Sequence, residues 1–199
     1  MYALLSGSGT IKVINNAKNF IDIKSSDWFY NSILFVNSRV IFIGVSEDEF
    51  GPKLPMTRAM LATALHRLEN KVDSNAQVTY TDVLQEQWYS DSIAWVVEAG
   101  IVSGYGNGVF GTNDNINREQ LATIMYNYAK YTGLSTVERG GIQHFSDAEQ
   151  TSPWATDALR WAVGIGLMQG DGNNLNPKGD ASRADVATII MRFVEIMVK

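Results

Sequence analysis

Cysteine is absent from the 199 residues, so neither a disulfide framework nor a thiolate metal site is available. Positive charge is scarce as well. The 16 Lys and Arg are outnumbered by 21 Asp and Glu, the net charge is −5, and there is no long basic run. That balance argues against nucleic acid as the main partner. No apolar run approaches the ~20 residues that span a bilayer. Met1 to Leu5 lacks the basic and long apolar parts of an intact signal peptide, so an exported protein would be represented here by a mature form or a fragment. Only 2 histidines occur, and His66 and His144 sit in non-equivalent contexts. No serine lies in a nucleophile-elbow context. Catalytic residues, metal ligands and cofactors are therefore not expected. What remains is 45% apolar and 19% charged, enough for a packed core.

The chain repeats itself from Phe20 onward. Three units begin Phe20-Ile21-Asp22, Tyr80-Thr81-Asp82 and Phe145-Ser146-Asp147. Trp28, Trp88 and Trp154 follow, and Gly44, Gly104 and Gly170 each lie 16 residues beyond their tryptophan. Phe50, Phe110 and Leu175 each stand eight residues before Arg58, Arg118 and Arg183. From the early Asp to the Arg is 36 residues in every unit. Landmarks kept in register three times are the mark of a repeat architecture.

Within a unit the apolar spacing predicts a helix after the tryptophan, a glycine-rich loop, and a second helix that opens at the arginine. Trp95 and Trp161 fall on the apolar side of the first helices. Thr57, Asn117 and Ser182 are N-cap types, which puts each arginine at the first helical position. Gln120 and Asp185 can complete a capping box, whereas Met60 cannot. Ser152-Pro153 is a start signal for the first helix of unit three, and Gly100 and Gly166 stand where a left-handed C-terminal residue would end one. Units this short rarely close a core alone, so the three are expected to pool their apolar faces in one mainly α body. The expected boundaries are 20–72, 78–134 and 143–199, with polar joints between. Residues 1–19 form an N-terminal extension or linker carrying a short strand-like stretch, Thr10–Ile14.

The arginines admit two readings. A cation beside free helix-start N–H groups suits a carboxylate or phosphate, giving three related anion sites. Equally, each could form an internal ion pair with Asp22, Asp82 or Asp147. The tryptophans could stack on a sugar face, but beside apolar neighbours at a helix start burial is the better expectation. The glycine loops follow helices rather than strands and lack a closing Lys-Ser/Thr, so a phosphate loop is rejected. Asp171–Asn174 and Asn113–Asn115 lack the ligand spacing of an EF-hand and read as turns.

Together these motifs resemble three tandem S-layer homology domains. The residues that carry the likeness in unit two are Tyr80-Thr81-Asp82-Val83, Trp88-Tyr89, Gly100-Ile101, Gly104-Tyr105, Phe110 and Asn117-Arg118-Glu119-Gln120. In unit three they are Phe145-Ser146-Asp147, Trp154, Gly166-Leu167, Asn176-Pro177 and Ser182-Arg183-Ala184-Asp185. Unit one departs most: Val40-Ile41 stands for Gly-Ile, the loop lacks Gly-Tyr-Gly, and Met60 replaces the acid of the signature. The resemblance implies three helix-loop-helix repeats in a pseudo-threefold helical bundle. It also implies an extracellular role as a bacterial cell-surface anchor that binds cell-wall glycan, an acidic or pyruvylated polysaccharide, in grooves between repeats. Arg58, Arg118, Arg183, Trp28, Trp88, Trp154, Gly104, Tyr105 and Gly170 are the ligand-binding residues so implied, with Asp22, Asp82 and Asp147 as structural landmarks. The alternative is self-assembly with other surface-layer copies. Neither nucleic acid nor a membrane span is expected.

Overall fold

A computed structural model of the chain describes residues 18–70, 74, 78–137 and 139–198. The strand-like stretch expected at Thr10–Ile14 lies outside them. The described residues form six α-helices: α1 (Tyr30–Ser38), α2 (Arg58–Leu68), α3 (Ser90–Glu98), α4 (Arg118–Tyr131), α5 (Thr156–Gly164) and α6 (Arg183–Met197). Among the described residues there are no strands, only isolated bridges. The fold is mainly α, as the periodicity predicts. No helix is long and apolar enough to cross a membrane among the described residues.

The local signals work as physical chemistry requires. Asn117 and Ser182 form full capping boxes with Gln120 and Asp185. Thr57 accepts from the Met60 N–H but receives no reciprocal bond, because a thioether chain cannot supply it. Gly100 and Gly166 end α3 and α5 with φ of 68° and 73°. Ser152-Pro153 starts a short 3-10 turn, Pro153–Ala155, immediately before α5.

The packing unit is not the hairpin that the repeat suggests. All three extensive pairings between α-helices cross a repeat boundary: α2 on α3, α4 on α5, and α6 on α1. The chain enters each second helix only after reaching its neighbour. Met56 N–H donates to Ala181 C=O, Ala181 N–H to Ile116 C=O, and Ile116 N–H to Met56 C=O, each at 2.9 Å. These bonds close a ring of three segments, one per repeat, whose side chains are all buried. A single core joins the repeats, which fits units too small to fold alone.

Candidate functional site

The early aspartates organise the loops. Asp82 accepts from the N–H groups of Phe110, Gly111 and Thr112 at 2.7–2.8 Å. Asp22 does the same for Phe50 and Gly51, and Asp147 for Leu175 and Asn176. Burial pushes the Asp82 carboxyl up, but its hydrogen bonds from Thr112, Phe110 and Gly111 outweigh this and hold it below its ordinary value. The repeated glycines are needed for close approach rather than for an unusual φ. A Cβ on Gly104 would lie 2.4 Å from the Tyr80 ring, and one on Gly170 would lie 2.3 Å from Phe145.

The arginines then clamp the loops of the next repeat. Arg58 donates through Nε to Phe110 C=O at 2.8 Å and through Nη2 to Ser103 C=O at 2.7 Å. Arg118 makes the same pair with Leu175 and Gln169, and Arg183 with Phe50 and Ile43. No arginine of the three forms a direct ion pair with the early aspartates: each meets its aspartate through one shared loop residue. The helix-start donors are also engaged. Arg58 and Ala59 N–H go to Asp114 and Thr112 C=O, Arg118 and Glu119 to Gly179 and Pro177, and Arg183 and Ala184 to Leu54 and Pro52. The expectation of three anion sites built on free helix-start N–H groups is therefore corrected, because the neighbouring repeat already satisfies those groups. Arg58 and Arg183 are only 5% and 6% exposed, and Arg118 is half-buried. Burial lowers all three guanidinium pKa values, yet a guanidinium stays protonated in any protein.

The tryptophans overturn the expectation of burial. Trp28, Trp88 and Trp154 are 66%, 58% and 57% exposed. Each lies on the turn before its helix, and the next residue, Phe29, Tyr89 or Ala155, turns inward instead. Trp28 and Trp88 pack edge-on against Phe29 and Tyr89, which fixes the exposed rings. The buried tryptophans are Trp95 and Trp161, which sit on the helices.

Two clefts form where three repeats meet. The first, of about 380 Å3, brings Trp28 of repeat one to Arg118 of repeat two and to Gln169, Gly170, Asp171, Asp185 and Arg192 of repeat three. The second, of about 420 Å3, brings Trp88 of repeat two to Arg183 of repeat three and to Ile43, Val45, Met60, Thr63 and Arg67 of repeat one. Both fall within the roughly 300–1,000 Å3 of small-molecule sites. At the third position the Tyr105 ring covers Arg58, 4.7 Å from its guanidinium carbon, with its hydroxyl near the side chains of Asp114 and Gln120. Asp171–Asn174, set aside as a turn, closes one through reciprocal backbone hydrogen bonds.

Sequence reasoning missed Arg67 and Arg192, each nine residues after its landmark arginine. They donate to the equivalent carbonyls of Ile41 and Leu167, and Asn127 does so to Ile101. The signal was present as a second cationic landmark in two of three repeats. It was hidden because the residue in repeat two is an amide.

The sequence model described as the S-layer homology domain matches residues 19–60, 79–122 and 144–187. The chain is 32% identical to an amylopullulanase of Thermoanaerobacterium thermosulfurigenes over 89% of its own length and 10% of that protein's. It is 30% identical to the S-layer protein sap of Bacillus anthracis, over 88% of its length and 21% of the relative's. A cellulosome-anchoring protein of Acetivibrio thermocellus is 26% identical over 73% of the chain and 33% of that protein. The chain thus spans a tenth to a third of the length of these curated relatives.

Proposed function

Because the chain belongs to the S-layer homology domain family, we propose that it is a non-catalytic module fastening a larger polypeptide to the bacterial cell surface. It does so by holding an acidic cell-wall polysaccharide, of the pyruvylated kind, in the clefts where three repeats meet. One relative is an S-layer protein and another anchors a cellulosome, and both names support attachment as the shared role. The amylopullulanase owes only a tenth of its length to a segment like this one, which supports a module separable from catalysis.

The observation that carries the reading is the pairing of an exposed tryptophan with a clamped arginine in each open cleft. Holding an indole ring more than half exposed at a site built by three repeats has a cost in hydrophobic free energy that a packed core avoids. A sugar's apolar face covers such a ring, and a guanidinium at the cleft floor favours a carboxylate on the same sugar. Arg118 and Arg183 contribute there mainly as fixed positive charge, since Nε and Nη2 are committed to loop carbonyls. Repetition of the site along one chain raises avidity for a polymer.

The test is retention of the protein on purified cell walls. Trp28→Ala together with Trp88→Ala is expected to abolish retention with no loss of thermal stability, because both rings are exposed. Equal retention on walls stripped of their polysaccharide would refute the glycan reading.

A further inference from the structure

The two open clefts share one geometry but differ in charge. Around Arg118 the lining carries two carboxylates, Asp171 and Asp185, against the second cation Arg192. Around Arg183 the equivalent positions are Val45 and Met60, while the second cation is retained as Arg67. That lining holds no acid, and neither Arg67 nor Arg183 forms an ion pair among the described residues, so neither is neutralised by contact.

A second observation points to the same cleft. Thr63 lines it, is 5% exposed, and its Oγ1 has no hydrogen-bond partner. The equivalent Thr188 of the first cleft donates to Ser32 Oγ and Ala184 C=O. Ser92, which by register should serve Thr63, is instead held 3.0 Å from His66 Nδ1. A buried hydroxyl left unpaired in a roomy, cationic cleft is where a ligand oxygen or bridging water restores a bond.

We infer that the cleft formed by Trp88, Arg183, Arg67 and Thr63 is the one that selects the carboxylate-bearing sugar, and that the acid-lined cleft around Arg118 takes uncharged sugar units of the same polymer. This rests on the glycan reading above and adds a division of labour to it. Met60, in sequence a departure that weakens repeat one, is on this view what makes the cleft anion-selective, because it removes the carboxylate that Asp185 places in the other.

Met60 also gives the test, because a change there separates binding from folding. Met60→Asp and Met60→Gln both complete the missing capping box, so neither should unfold α2. The probes are an amino sugar carrying a pyruvate ketal and the same sugar without it, followed through the indole N–H signals of Trp88 and Trp28 by NMR. The ketal is expected to shift Trp88 far more than Trp28. Met60→Asp should weaken that binding by about tenfold through like charge, and Met60→Gln should leave it unchanged. Thr63→Val should also weaken it while leaving thermal stability equal or higher. Equal affinities of the Asp and Gln variants, or a ketal that shifts Trp28 as strongly as Trp88, overturn the selectivity while the glycan reading stands. A ketal and a parent sugar that shift neither tryptophan overturn both.

Discussion

Arg58 and Asp82, from neighbouring repeats, hold opposite ends of one residue: Phe110 gives its N–H to Asp82 Oδ1 and its carbonyl to Arg58 Nε. The same triad recurs as Asp147, Leu175 and Arg118, and as Asp22, Phe50 and Arg183. The eight-residue step from Phe110 to Arg118 thus joins one clamp to the next, so the three locks close in a cycle. Arg58→Ala should therefore act mainly on folding. It leaves the buried Phe110 carbonyl and the part-buried Ser103 carbonyl without the guanidinium, and a loss of roughly 2–4 kcal/mol is expected in urea denaturation. Arg58→Lys should recover little, because one ammonium cannot reproduce the two-pronged geometry.

The Asp82 lock sets a pH dependence. Its folded-state pKa lies below its ordinary value, so the unfolded chain binds the proton more tightly. Stability from this group is therefore fully present above the unfolded carboxyl range, about pH 4, and is lost as pH falls through the folded value. Urea midpoints measured from pH 6 downward should decline below about pH 4 in the parent protein. Asp82→Asn should start lower and show a shallower decline.

Repeat one offers a stabilising change. Val40 ends α1 with φ of 57°, where Gly100 and Gly166 stand in the other repeats. A β-branched residue in the left-handed region is strained by about 1–2 kcal/mol. Val40→Gly should raise stability by about 1 kcal/mol, somewhat less than the strain because glycine also frees the unfolded chain. Gly100→Ala should lower it by a similar amount, read as opposite shifts in thermal midpoint.

Much of this was legible in the sequence because it is local. Helix starts at Thr57, Asn117 and Ser182, and stops at Gly100 and Gly166, depend on a few adjacent residues, and the spacing alone exposed the repeat. The partners of the arginines were not legible. Arg183 reaches Phe50 across 133 residues, and nothing near either one says that a backbone carbonyl, rather than a carboxylate, completes the guanidinium. The tryptophans misled for a related reason. Composition favours burying an indole, but here one residue of offset puts Phe29 or Tyr89 inside and its neighbour outside. The swap of helices between repeats was invisible too, since the periodicity gives a helix an apolar face and not the identity of what covers it.

Tyr105 marks the last difference between the three sites. Its ring lies over Arg58, with its hydroxyl near Asp114 and Gln120, where Val45 and Asp171 occupy the equivalent loop positions. Burial raises the pKa of that hydroxyl, so it stays protonated through the neutral range. Tyr105→Val should uncover the Arg58 guanidinium and open a third cleft, in which Asn127 stands where the Arg183 cleft has its second cation, Arg67. Two readouts check this. Hydrogen exchange at the Arg58 side chain should quicken, since a covering ring has gone. Titration with the acidic sugar should reveal one more binding site than the parent protein has, with the added signal at Trp154. Faster exchange without the added site would mean that Arg58, unlike Arg183, is committed wholly to holding the neighbouring loop.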